Sequence, residues 1–215
     1  MRLEEKEMRN VLLRPSTLAV LTVFFTLLAG CGSSLPTRYY VLHSWSDSAN
    51  PKEESQPSAG EHCVSIGVGP VKIADYLDRA EIVTRVTPNQ LRLAEFDQWA
   101  EPLSQNISRV LADDLSGLLC VKSAVVFPWR GSVSIDYQIE VEILRMDGNL
   151  GGDATLEARW MVFGAREPKR ALLIKRTRLT IPTGGQDFRA LVSAQSRNLE
   201  ALSRNMAEAI KALLR

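Results

Sequence analysis

The strongest periodicity in the chain runs from Val133 to Ile143. There Val133, Ile135, Tyr137, Ile139, Val141 and Ile143 alternate with Ser134, Asp136, Gln138, Glu140 and Glu142. Period two over eleven residues predicts a strand with one covered and one wet face. Asp147-Gly148-Asn149 and Gly151-Gly152 are turn residues, Thr155 to Gly164 is the expected return strand, and Ala171 to Ile181 is a third, after a turn at Ala165–Lys169. Such short connections make an antiparallel meander. Glu140, Glu142, Arg159, Arg176 and Arg178 supply charge to its exposed parts, where cross-strand pairs are worth only about a few tenths of a kcal/mol each.

Upstream, Arg38 to His43 is aromatic and β-branched enough for a strand, and it lies between polar stretches at 32–36 and 44–60. Val64 to Val71 predicts a further strand, in which Gly67 and Gly69 mark a bulge. Ile73 to Leu77 suits one helical turn. Glu81–Arg85 and Gln90–Leu93 predict a hairpin around Pro88-Asn89. Pro102 then stands in the first turn of a helix, where a missing N–H costs nothing. The apolar stripe of that helix is Leu103, Ile107, Val110, Leu111 and Leu118, and it ends near Gly117–Cys120, ahead of a strand at Val121–Phe127. The last helix places Phe188, Val192, Gln195, Leu199, Leu202, Met206, Ala209 and Leu213 at alternating steps of four and three. That heptad spacing fits either a helix packed on its own sheet or a helix-mediated homo-oligomer.

The first 30 residues are of a different kind. Arg9 and Arg14 precede an apolar run from Leu18 to Leu28, which closes on Leu28-Ala29-Gly30-Cys31. About eleven apolar residues are too few for a comfortable membrane span and suit the apolar region of a signal peptide. Small residues followed directly by a cysteine form a bacterial lipobox. Residues 1–30 therefore read as a lipoprotein signal peptide, Cys31 as the acylated mature N-terminus, 31–36 as a lipidated tether, and 37–215 as one domain. Glu4, Glu5 and Glu7 are unusual in such a leader, which leaves Met8 as an alternative start.

The whole chain of 215 residues has a formal net charge of +1, and residues 31–215 carry 22 cationic and 22 acidic side chains. This balance argues against a nucleic-acid protein. Two histidines, His43 and His62, leave little room for a metal centre or a histidine-based catalytic network. Gly67-Val-Gly-Pro-Val lacks the third glycine of a dinucleotide loop, and Pro70 removes a donor that a phosphate would need. Asp113-Asp114 and the pair Asp75 and Asp78 are candidate carboxylates for acid–base work. Adjacent helical residues diverge by about 100°, so Asp113-Asp114 reads instead as a solvated helix face. No nucleophile, base and orienting group assemble, so neither an enzyme nor a cofactor is expected. Cys63 and Cys120 remain after lipidation. In an oxidising compartment they are either a disulfide or two buried thiols. Tyr76-Leu77-Asp78-Arg79 and Trp99 are residue types that anchor protein interfaces; the alternative is local packing, with Tyr76 and Trp99 covering the core and Arg79 paired with Asp75 or Glu81.

Four segments together resemble the PqiC-type lipoproteins, the auxiliary lipoprotein component of ABC-type, MCE-associated lipid transport systems. They are the lipobox Leu28–Cys31, the segment Arg38-Tyr-Tyr-Val-Leu42, the stretch from Ile66-Gly-Val-Gly-Pro-Val71 through Asp75-Tyr-Leu-Asp-Arg79 to Ile82-Val83, and Trp99-Ala-Glu-Pro-Leu103 with Arg109, Leu111 and Asp114-Leu115. The chain departs from the family at Ala74 and Ala80, where prolines are common. The resemblance implies an α/β domain, a mixed β-sheet flanked by helices, similar to the anticodon-binding and TolB amino-terminal folds. It implies outer-membrane attachment facing the periplasm, a role in membrane integrity, and docking of a periplasmic MCE protein of a PqiB-like system. A lipoprotein that itself binds a lipid or small ligand is the alternative; an apolar cavity of several hundred Å³ would favour it.

Overall fold

The computed structural model describes residues 36–45, 63–131, 133–167 and 169–214. The expected signal peptide, Cys31, the expected tether up to residue 35, most of the polar stretch 44–60 and His62 lie outside the described residues. Thr37–Arg215 make up one compact unit.

Eight strands and two helices follow one another as β1 (Arg38–Tyr40), β2 (Val64–Ile73), β3 (Glu81–Thr87), β4 (Gln90–Trp99), α1 (Leu103–Leu118), β5 (Val121–Val126), β6 (Tyr137–Gly148), β7 (Asp153–Gly164), β8 (Ala171–Pro182) and α2 (Phe188–Leu213). A short 3-10 turn, Asp75–Leu77, stands at the place expected for a helical turn. The strands form two mixed sheets rather than one. The larger has the order β5-β2-β6-β7-β8, with β2 parallel to both neighbours, and the smaller has the order β1-β4-β3, with β1 parallel to β4. Both edges of β2 are taken by its parallel neighbours β5 and β6, and the 81–99 hairpin pairs with β1 in the second sheet.

Both helices pack against the larger sheet. Ile139, Val141 and Ile143 of β6 and Trp160 and Val162 of β7 meet Ile107, Leu111 and Leu115 of α1 and Leu199, Leu202 and Met206 of α2 in one buried cluster. On α1 the stripe ends on Leu115, while Leu118 is only partly covered. The heptad face of α2 is turned into its own fold over most of its length: Val192, Gln195, Leu199, Leu202, Met206 and Ala209 are all buried, while Phe188 at the start is only partly covered and Leu213 at the end is exposed. Between Val192 and Ala209 that face is therefore occupied by the protein's own core. Asp187 caps α2 by accepting from the Ala190 N–H at 2.8 Å.

The strand expected from Val133 begins four residues later, at Tyr137. The backbone N–H of Asp136 donates to the Ser65 carbonyl, and its carboxylate accepts from the Ser65 N–H, both at 2.8 Å. Asp136 thus fastens the chain to the start of β2 before the ladder opens. Val133 and Ile135 belong to a loop lying over the open face of the sheet. The bulge expected at Gly67 and Gly69 is present as a register shift between β2 and β6 from Val68 to Val71. Gly69 has φ of +118°, a conformation that side chains disfavour. Gly67 is needed for space: a Cβ there would lie 2.8 Å from Ile135 and 2.9 Å from the Trp129 ring.

Candidate functional site

The segment 74–80 is held from beneath by one carboxylate. Asp147, near the end of β6, is buried, yet it accepts bonds from three side chains. Arg85 of β3 donates through Nε at 3.0 Å and through Nη2 at 2.7 Å, and Arg145 donates through Nε at 2.8 Å. The Tyr76 hydroxyl donates at 3.0 Å. Arg85 also donates to the Pro88 carbonyl at 2.7 Å, and Gln195 of α2 donates to the Asp147 carbonyl at 3.0 Å. One residue therefore joins the 3-10 turn, the β3–β4 hairpin, the larger sheet and α2. Burial alone would push the Asp147 carboxyl up. The hydrogen bonds from Arg85 and Arg145 outweigh it and hold the group below its ordinary value. Burial, reinforced by the neighbouring Asp147 charge, pushes Tyr76 up to about 12, so it stays a neutral donor.

The five residues expected to form a partner surface separate on this frame. Leu77 and Trp99 are 2% and 9% exposed, so they pack the segment onto the core and offer no free area. That corrects the interface reading for these two: their apolar area is already spent inside the fold. Tyr76 is half-buried and committed to Asp147. Asp78 and Arg79 stand exposed at the surface, and no ion pair holds Arg79 among the described residues. The local packing that was the alternative therefore describes Tyr76 and Trp99, but the ion pairing of Arg79 with Asp75 or Glu81 is not found there. The following Glu101 is ion-paired with Arg109 of α1, joining two of the residues that carry the family resemblance.

A second carboxylate secures the amino-terminal segment. Asp114 is fully buried, contrary to the solvated-face reading. It accepts from the Ser44 hydroxyl at 2.6 Å, the Trp45 N–H at 3.1 Å and the Ser203 hydroxyl at 2.9 Å. Upstream, Asn106 of α1 both accepts from the Leu42 N–H at 2.7 Å and donates to the Leu42 carbonyl at 3.2 Å. Trp45 lies against Gly117, where a Cβ would come within 2.9 Å of its ring, and Arg204 lies 5.6 Å above that ring. Burial pushes the Asp114 carboxyl up, opposed only by neutral donors. The aspartate itself gave no sign of burial in the sequence. The polar positions Asn106 and Ser203, on the apolar faces of α1 and α2, were the legible signal.

Cys63 and Cys120 are joined by a disulfide, with Cα atoms 4.6 Å apart. Their segments are adjacent because β5 pairs with β2, and the Val64 N–H donates to the Cys120 carbonyl at 3.0 Å. Among the described residues no three His, Cys, Asp or Glu side chains come together as a metal site would require, and no helix is long and apolar enough to cross a membrane. Asp75 and Asp78 are both exposed. On the open face of the larger sheet, Trp129, Val133, Ile135, Gln138, Phe163, Gly164 and Ala165 line a cleft of about 210 Å³.

This architecture is shared with solved proteins. A crystal structure of an uncharacterized protein superposes with a TM-score of 0.64 at 19% identity, covering 82% of this chain and 99% of the other. Protein XCC0632 from Xanthomonas campestris gives a TM-score of 0.59 at 16% identity, covering 79% of this chain and 92% of that one. Identities this low establish the fold alone. No curated protein sequence matches the chain. Residues 40–207 match the model of one family, a span that holds Asp114 and Asp147, all of α1, most of α2 and every strand except the start of β1, and on that match the chain belongs to the ABC-type transport auxiliary lipoprotein components.

Proposed function

We propose that this protein is an outer-membrane lipoprotein, anchored by acyl chains on Cys31 and facing the periplasm. In this reading it is a non-catalytic subunit of an MCE/ABC-type intermembrane lipid transport system, where it docks the periplasmic MCE-domain protein and supports membrane integrity. The observation that carries the reading is the family match over residues 40–207. The lipobox ending in Cys31 supports the anchor, and Gly32, in place of an aspartate that would retain the protein in the inner membrane, supports the outer membrane. Several acyl chains, at about 0.8 kcal/mol per buried CH₂, are sufficient for stable attachment. The exposed Asp78-Arg79 pair, fixed in place through Tyr76 and Asp147, supports docking by a rigid surface.

A lipid-carrying pocket would call for about 300–1,000 Å³. The cleft at Trp129 offers about 210 Å³ on an open sheet face, so docking is the better supported of the two. The test is co-purification of the periplasmic MCE-domain protein with the full-length chain from crosslinked envelopes, alongside Cys31→Ala. The variant is expected to leave the outer-membrane fraction as soluble or unprocessed protein and to lose its partner. Normal processing and an unchanged membrane fraction would remove the anchor from this account.

A further inference from the structure

The outer edge of β8 is the most one-sidedly charged part of the molecule. From Arg166 to Arg178 the chain carries Arg166, Lys169, Arg170, Lys175, Arg176 and Arg178 against the single acid Glu167, in a protein of net charge +1. All six cations are exposed. Arg176 is paired with Glu157 and Arg170 lies 3.9 Å from Glu167, while Arg166, Lys169 and Arg178 have no ion pair among the described residues.

This strand is also the last of its sheet, so no strand lies beside its outer edge among the described residues. A long strand edge is a template for pairing with another chain. Leu172 and Ile174 are 44% and 63% exposed, which puts apolar area among the cations. The edge continues into the cleft: Leu172 comes within 3.1 Å of where a Cβ on Gly164 would stand, and Gly164 is one wall of the cleft. The other walls are mainly Trp129, Val133, Ile135 and Phe163. Gln138, the polar side chain among them, is already engaged, donating to the Gly69 carbonyl at 2.9 Å and to Glu140 at 3.2 Å. About 210 Å³ is the scale of one large side chain, not of a whole ligand.

We infer that the β8 edge and the Trp129 cleft together dock an extended acidic segment of the partner protein, which adds a strand to β8 and seats one apolar side chain in the cleft. Main-chain bonding along an open edge supplies affinity and a side-chain pocket supplies register. Opposite charge selects the partner and speeds encounter. A second copy of this chain is a poor occupant. The other open edge of the larger sheet, β5, has Lys122 and no acid, so pairing it with β8 would set cation against cation.

The inference rests on the docking reading, and two measurements separate them. A photo-crosslinking residue is placed at Ile174 or at Arg79 of the full-length lipoprotein in envelopes, and the product with the MCE-domain protein is sought. A product from position 174 is the expected result. A product from 79 with none from 174 overturns the β8 surface and leaves docking standing. No product from either position, together with no co-purification, overturns both. The second measurement titrates the protein with a short peptide of alternating Glu and Val bearing one central Phe. Amide NMR shifts are expected along residues 171–178 and at the Trp129 indole. The double variant Ile174→Glu/Arg178→Glu is expected to bind about tenfold more weakly or worse. Its thermal midpoint shows whether it remains folded, and Lys169→Glu, on the exposed turn, should weaken binding in the same sense. Equal binding of the Lys-for-Glu peptide overturns the inference. So does a membrane target, seen as phosphatidylglycerol vesicles binding the β8 edge while the acidic peptide does not. Dimerisation in sedimentation that the double variant abolishes would make the occupant a second copy, and would overturn it too.

Discussion

Asp147 and Asp114 are both buried carboxylates that tie distant segments together, yet they are supported in opposite ways. Asp147 faces two arginines and a phenol, and its two sheets meet across full charges. Asp114 faces two hydroxyls and one backbone N–H, and it fastens the 42–45 segment to α1 and α2 with neutral donors only. Burial acts on both in the same direction. It is overcome at Asp147 and prevails at Asp114. The lesson is that burial of an acid is not by itself a statement of its charge or of its worth. The partners decide both.

Breaking the comparison at its stronger end should have the largest effect. Asp147→Ala leaves Arg85 and Arg145 partly buried without their counter-charge, and removing one partner of a buried pair costs about 3–5 kcal/mol. Urea unfolding is expected to show that loss, and Asp147→Asn should recover little of it, because the amide cannot satisfy two guanidinium groups. An unchanged urea midpoint in Asp147→Ala would show that the sheets are joined by apolar packing alone.

The Asp114 region has a covalent support that the Asp147 region lacks, since Cys120 follows α1 directly. Closing a loop over a separation of 57 residues is worth roughly 4 kcal/mol in the chain-entropy model. Reduction, or Cys63→Ser with Cys120→Ser, should lower stability by about that amount. Two freely alkylated thiols in protein taken from the periplasm would show that the bridge does not form there.

Asp114→Ala should cost less, about 1–3 kcal/mol, the penalty for buried donors left without an acceptor. Asp114→Asn should restore most of it, in contrast to Asp147→Asn. The pH dependence should separate the two groups further. Asp147 titrates below its ordinary value, so its contribution is present above about pH 4 and is lost as pH falls through the folded-state pKa. Asp114 titrates above it, so the folded state holds the extra proton, and its contribution is full in acid and declines as pH rises from about pH 4 through the folded-state pKa. Measured as wild type minus the Asn variant, urea midpoints across this range should fall towards acid for Asp147 and rise towards acid for Asp114. Parallel profiles would mean that the two sites do not differ as described.

The smallest expected effect on stability is at the surface that Asp147 positions. Arg79→Glu removes no ion pair found among the described residues, so its unfolding free energy should change by about 0–1 kcal/mol and its thermal midpoint by little. If the proposed docking holds, capture of a periplasmic MCE-domain protein at matched levels of folded protein should weaken under the same substitution. Undiminished capture would take Arg79 out of the interface. Lost folding would make it structural.

Much of this fold was legible because the signals are local. Period two marked β6, the turn residues after it set off β7 and β8, Pro102 and the following stripe marked α1, and the heptad spacing located most of the buried face of α2. The site was less legible. Tyr76 and Arg79 stood out by residue type, but whether a tyrosine, a leucine or a tryptophan is interface or core depends on what lies over it, and no periodicity runs through residues 74–80. The strand expected at Val133 failed for a related reason. Alternation there reports residues that cover an open sheet face, and only the bond between Asp136 and Ser65 decides where the ladder begins.

What the sequence determined on its own are the properties that each element carries within a few residues: its period, its turn residues and its apolar face. What only the tertiary structure decided are the states of the two aspartates and the surface they leave free. The Asp147 bonds to Tyr76 and Arg85 span 71 and 62 residues, and the Asp114 bonds to Ser44 and Ser203 span 70 and 89. An aspartate in a helix or strand reads as solvated until the chain returns from such distances to cover it. The physical reason is that the cost of burying charge is set by the assembled neighbours and not by the residue that bears it.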